Sequence, residues 1–179
     1  MKVFIAGPRA ISSLDENIQK KINSICNKNY EILLEDANGI DSSVQQYLSI
    51  LKYSKVKVYS SNGIVRNNYG NWQVENVQVD SSIKGFDFYV QKDLEMVKDA
   101  DIGLMIWNGE SKGTLNDIIN LLKLNKSVVM YFVNNRKFYL FERKEQFDEF
   151  LRINVKLTSK LRQILNTNSK SKTEQICLF

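Results

Sequence analysis

Histidine is missing from all 179 residues, proline occurs once, cysteine twice, and no apolar run nears the length of a membrane span. The lack of histidine excludes Ser-His-Asp and Cys-His catalysis, histidine-ligated zinc and an imidazole general base. Chemistry in this chain must therefore run on carboxylates, hydroxyls, tyrosines or lysines. Cys26 and Cys177 lie too far apart for a CxxC site and are too few for a disulfide framework. No metal-ligand spacing is present, and neither a metal nor a cofactor is predicted. Met1 leads straight into an expected strand, so no signal peptide and a reducing cytoplasm are the expectation. A formal charge of +5 is spread along the chain without basic blocks. That reads as a solvated surface, with neither a membrane nor a nucleic acid expected as partner. A homo-oligomer is compatible with the composition.

What is present alternates. Val3–Ala6, Ile32–Leu34, Val56–Tyr59, Ile102–Ile106 and Ser127–Phe132 read as short buried strands. Helical apolar spacing follows over about 14–27 (Ser12 or Ser13 as N-cap), from about Asp41, over 88–99, over 115–124 and over 144–165. Lys137–Phe141 is a candidate edge strand, and 60–84 reads as a long irregular loop of the kind that faces a ligand. The predicted fold class is α/β: a three-layer, Rossmann-like arrangement with a mostly parallel sheet of about five strands covered on both faces. The expected organisation is a core domain over 1–142, a C-terminal helical appendage over 143–165 and a polar, disordered tail over 166–179.

Glycine numbers only eight, so its placement is informative. Gly7-Pro8-Arg9 ends the first strand, and Ser111-Lys112-Gly113-Thr114 opens a helix after the fourth. Glycine lets backbone N–H groups approach an anion, and a helix N-terminus offers unpaired donors to it. In parallel sheets ligands sit at the carboxyl ends of the strands. Asp36-Ala-Asn38-Gly39-Ile-Asp41, Arg66-Asn67 and Trp107 are expected at the same rim. Arg9, Gly113 and Thr114 are candidates for a phosphate, Asp36, Asn38 and Asp41 for a sugar, and Trp72 or Trp107 for stacking on a base.

Purely structural roles fit the same residues. Thr114-x-x-Asp117 matches a capping box, Asp41 an N-cap, Pro8 a turn, and Asn67-Asn68 a turn in the loop. If chemistry occurs, Asp117 is the best-placed carboxylate, with Asp36 or Asp41 second.

These residues carry a likeness. The chain resembles the SLOG superfamily, in particular its stand-alone YpsA-like branch, through Gly7-Pro8-Arg9, Asn38-Gly39-Ile40-Asp41 and Ser111-Lys112-Gly113-Thr114 over roughly 1–132. The segment from Lys92-Asp93 to Asp101 resembles the helix before the late strand, where the family often has Arg-Asn. The resemblance implies a Rossmann-like fold and a nucleotide-type small-molecule partner. It also makes the chain similar to phosphoribohydrolases and nucleoside deoxyribosyltransferases. The hydrolase pattern Pro-Gly-Gly-x-Gly-Thr-x-x-Glu is half present: Trp107-Asn108-Gly109 replaces its leading glycines, and Asp117 stands in the glutamate position. Binding of a nucleotide or nucleotide-derived molecule is the expected function, with N-glycosidase activity as one alternative. A second alternative is an interaction module built on the 60–84 loop and the basic tail.

Overall fold

A computed structural model describes residues 1–80, 82–154 and 156. The element order is β1 (Lys2–Ala6), α1 (Glu16–Asn27), β2 (Glu31–Glu35), α2 (Ile40–Ile50), β3 (Val56–Ser61), β4 (Gln73–Val77), α3 (Phe86–Asp99), β5 (Ile102–Trp107), α4 (Lys112–Lys123), β6 (Ser127–Phe132), β7 (Lys137–Phe141) and α5 (Lys144–Ile153). One sheet runs β4-β3-β2-β1-β5-β6-β7, parallel except for the antiparallel β6–β7 pair. The architecture is α/β and mostly parallel, as the alternation predicts, but the sheet has seven strands where about five were expected.

Both added strands are edges. β7 is the candidate edge strand and follows β6 by a short turn. β4 lies inside the stretch expected to be irregular, pairing with β3 from Lys57↔Gln73 to Ser61↔Val77. Its sequence Gln-Val-Glu-Asn-Val is almost wholly exposed. A strand at the sheet's edge with no buried face has no apolar alternation to announce it.

Period-two side-chain alternation divides the core into two layers. Val3 and Ile5 of β1 pack with Ile32, Leu34, Val58, Leu104 and Ile106 beneath α1 (Ile18, Ile22) and α2 (Val44, Leu48). Phe4 and Ala6 face the opposite way, with Leu33, Met105, Trp107 and Met130 beneath α3 (Met96, Val97), α4 (Ile118, Leu121) and α5 (Phe147, Phe150). β1 therefore contributes to both layers, which is why its run is apolar without interruption.

Helix starts differ from the sequence expectation in ways that matter for the site. α1 is capped by Asp15, whose Oδ1 accepts from the Ile18 N–H at 3.0 Å, in place of Ser12 or Ser13. The N-cap of α2 is Gly39, so Asp41 lies inside the first turn. α4 starts at Lys112 with Ser111 as N-cap, a turn's width before the expected 115. Residues beyond 156, including the rest of the expected appendage and the tail, lie outside the described residues.

The strand order reverses beside β1: β2, β3 and β4 continue to one side, while β5, β6 and β7 continue to the other. β1 and β5 are adjacent in register, Val3↔Ile102 to Ala6↔Met105. The connections leaving these two strands diverge to opposite faces, which opens a crevice at their carboxyl ends.

Candidate functional site

That crevice is a cleft of about 230 Å³ lined by Ala6, Gly7, Arg9, Glu35, Ala37, Asp41, Tyr89, Asp93, Ser111, Gly113, Thr114 and Asp117. Five elements contribute to it. β1 supplies Ala6 and the turn to Arg9, and β2 supplies Glu35. α2 supplies Asp41, α3 Tyr89 and Asp93, and α4 Gly113 to Asp117. The turn after β1 seats directly on the start of α2. The Ile40 N–H donates to the Pro8 carbonyl at 3.3 Å. A Cβ on Gly39, whose φ is +86°, would lie 2.4 Å from the Arg9 Cα, so only glycine permits this approach.

The floor of the cleft is acidic and buried. Asp41, Asp93 and Asp117 are 2%, 4% and 2% exposed, and the Oδ1 of each has no hydrogen-bond partner in the protein. One carboxyl oxygen from each of Glu35, Asp93 and Asp117 lies within 4.8 Å of the others. Burial, reinforced by the negative charge of Glu35, raises the Asp41 and Asp117 carboxyls well above the usual carboxylate range. Asp93 is pushed up to about 11 by burial and by the charges of Glu35 and Asp117, against the pull of Lys92. In this state the floor offers proton-bearing carboxyl groups as well as acceptors. Such an arrangement suits hydroxyl recognition, proton transfer or cation binding.

Lys92 and Asp36 form the layer behind that floor. The Lys92 ammonium, 0% exposed, lies 2.9 Å from Glu35 Oε2 and 3.0 Å from Asp36 Oδ1. Arg66 clamps Asp36 from the other side, donating from Nη2 at 2.6 Å, from Nε at 3.1 Å and from its backbone N–H at 3.1 Å. Burial opposes the ionised form of Asp36, but the Arg66 hydrogen bonds and the Lys92 charge outweigh it and hold this carboxyl at about 2.

At the α4 end, Ser111 Oγ accepts from the Thr114 N–H at 3.4 Å and from the Thr114 hydroxyl at 3.0 Å. The cap is therefore Ser111 with Thr114, and not the Thr114–Asp117 box that the sequence also allowed. Released from capping, Asp117 is free to point into the cleft. A Cβ on Gly113 would meet nothing within 4 Å, so neither packing nor backbone conformation in the protein demands a glycine there. Arg9 stands over the Tyr89 ring at 4.7 Å from its centroid, and Arg66 stands over the same ring at 5.6 Å.

Of the residues singled out from sequence, Gly7, Arg9, Asp41, Ser111, Gly113, Thr114 and Asp117 meet at the cleft. Pro8 and Gly39 shape its wall without lining it, and Lys112 is half-buried at the start of α4. Asn38 is exposed, and its Oδ1 accepts from the Asn67 amide, which also donates to the Asp36 carbonyl. Asp36, Arg66 and Asn67 thus bind one another behind the cleft. Trp107 is fully buried against Phe132 and Phe147, its Nε1 donating to the Ser111 carbonyl, so its ring supports the α4 start from within the core. Trp72 donates to the Tyr53 carbonyl and packs on the α1–α2 layer, away from the cleft. The aromatic that does line the cleft is Tyr89.

Glu35, Lys92 and Asp93 are functional candidates that residue patterns did not single out as site residues. The adjacent Lys92-Asp93 pair sits mid-helix, where charged residues ordinarily face solvent. Its only available signal was its place in the segment resembling the helix before the late strand. A larger open groove beside β3, β4 and α3 is lined by Lys57, Tyr59 and Asp99 among others, but Lys2, Lys57 and the Tyr59 hydroxyl already engage Asp99. No helix is long and apolar enough to cross a membrane among the described residues. No family model matches the chain, and no curated protein matches it either.

Proposed function

We propose that the cleft binds the sugar-phosphate part of a nucleotide or nucleotide-derived molecule, on a Rossmann-like, SLOG-type domain. One observation carries the reading: the start of α4 at Gly113 and the buried carboxyl floor of Asp41, Asp93 and Asp117 face the same cleft. A phosphorylated sugar needs that pairing, with backbone donors for its phosphate at one end and carboxyl groups for its hydroxyls at the other. Arg9 at the mouth adds a cation for the phosphate. The volume of about 230 Å³ is below the roughly 300–1,000 Å³ typical of pockets enclosing a whole small molecule. The ligand's base therefore projects towards Tyr89 and the outside. Calorimetry against nucleoside monophosphates, ribose 5-phosphate, ADP-ribose, NAD and cyclic nucleotides tests this. Ribose 5-phosphate retains most of the affinity of its nucleotide, whereas the free base binds poorly. Absence of binding below millimolar concentration to any of them, by a well-folded protein, ends the proposal.

The orphaned Asp117 Oδ1 favours a second step on the same ligand, hydrolysis of the N-glycosidic bond. Water would add at the anomeric carbon as the base leaves, and the proton-bearing Asp117 carboxyl group beside that bond would protonate the departing base, the proton released by the water restoring it. Aspartate is one methylene shorter than glutamate, and a displacement of about 1 Å can cost on the order of a hundredfold in rate, so turnover is slow. Base release followed by chromatography is the measurement. Asp117→Asn abolishes it while leaving phosphate-dominated affinity within a few fold; equal rates in both proteins remove Asp117 from the chemistry.

A further inference from the structure

We propose that Glu35, Asp93 and Asp117, with Asp41 beside them, form a binding site for a hard divalent cation in the floor of the cleft. Three carboxylates from three separate elements, β2, α3 and α4, each bring one oxygen within 4.8 Å of the others. A cluster of acids alone would mean little. Here Asp41, Asp93 and Asp117 are at least nine-tenths buried, line the cleft, and each leaves Oδ1 without a partner. A buried acceptor left unpaired is costly, and three converging on one cavity indicate a group that arrives from outside.

The donor set selects the class of ion. The cleft lining contains no cysteine or histidine, so every side chain that can ligate does so through oxygen, which disfavours zinc and copper and suits calcium, magnesium or manganese. Binding a divalent ion would displace the protons that these buried carboxyl groups hold in its absence. The open side of the ion would face the cleft, where water or a ligand oxygen completes its shell. In this the inference deepens the sugar-phosphate reading, since such an ion would grip hydroxyl or phosphate oxygens.

The test uses the full chain, stripped with a chelator and titrated with calcium chloride or magnesium chloride alone, by calorimetry and by thermal melting. One saturable calcium site is expected, with a melting temperature that rises with calcium. Asp117→Asn and Asp93→Asn each weaken calcium at least tenfold and flatten the melting response, whereas Asp87→Asn on the exposed start of α3 changes neither. Asparagine replaces a neutral acid with little change of shape; should one variant fail to fold, the other carries the comparison. No saturable effect up to about 10 mM calcium, well beyond the weakest extracellular sites, overturns the proposal. Wild-type affinity in both asparagine variants overturns it equally. Nucleotide binding that persists unchanged in chelator alongside indifference to calcium removes the ion and leaves the sugar-phosphate reading in place. Calcium binding without nucleotide binding does the reverse.

Discussion

Lys92 is the most deeply held charge among the described residues, because its ammonium has no exposed surface and two carboxylates at 2.9 and 3.0 Å. Burial would lower its proton affinity, but Glu35 and Asp36 outweigh that and raise it, so it stays charged. Removing one partner of a buried ion network leaves the others desolvated and uncompensated, a loss of about 3–5 kcal/mol. Lys92→Met is therefore expected to destabilise the protein by that amount in urea unfolding. Arg66→Ala costs less, because the Arg66 side chain is 34% exposed and water can replace it at Asp36. An equal loss in both variants would show that Lys92 is not the keystone of this network. The same residue illustrates why part of the site was hidden in the sequence. Arg9, Asp41 and Asp117 sit beside glycine-rich turns and could be picked out by position. Glu35, Lys92 and Asp93 belong to a strand and the middle of a helix, and only the packing of α3 across the sheet brings them to the cleft.

Among the elements, α4 joins stability to function most directly. Its first turn is secured by Ser111 and by the Trp107 indole beneath it, while Gly113 faces open space. Glycine in a helix is less stable than alanine, so the protein forgoes stability at a position where packing makes no demand. Gly113→Ala is expected to raise stability by about 0.4–1 kcal/mol and to lower nucleotide affinity at least tenfold by blocking approach to the backbone. Melting and calorimetry on the same sample read both effects, and a rise in stability with unchanged affinity would place the phosphate elsewhere. Element identity was largely legible from apolar period, since the helices and the five buried strands have one or two faces to bury. Helix starts were legible only to within a turn, because Ser111, Thr114 and Asp117 offer two overlapping capping patterns that geometry alone separates. β4 was not legible at all, since an edge strand of Gln-Val-Glu-Asn-Val buries too little to pattern its sequence.

Across the whole molecule, Asp99 ties together the start of β1, the middle of β3 and the end of α3. It accepts from the Lys2 ammonium, the Lys57 ammonium and the Tyr59 hydroxyl. Burial opposes its charge, yet these donors hold its carboxyl at about 2, below the ordinary 3.8. A depressed folded-state value means that the stabilisation is complete above about pH 4 and fades as pH falls through about 2. The difference in urea midpoint between wild type and Asp99→Asn is thus expected to be constant from pH 7 to about 4 and to shrink below it. A difference that stays constant to pH 2.5 would detach Asp99 from acid unfolding.

The central place of β1 has a consequence in time. Its partner on one side is β2, only a short helix away, but its partner on the other is Ile102–Trp107, with Val3 opposite Ile102. Made well before β5, β1 is enclosed on that side only once β5 exists. Until residues 102–107 have been made, Val3, Phe4, Ile5 and Ala6 present a raw edge and unsheltered apolar faces. Contacts between such distant parts of the chain form slowly, and an unpaired edge recruits other chains in the interval. A fragment ending near residue 100 would aggregate where the full chain folds, and refolding from urea would be slow and sensitive to protein concentration.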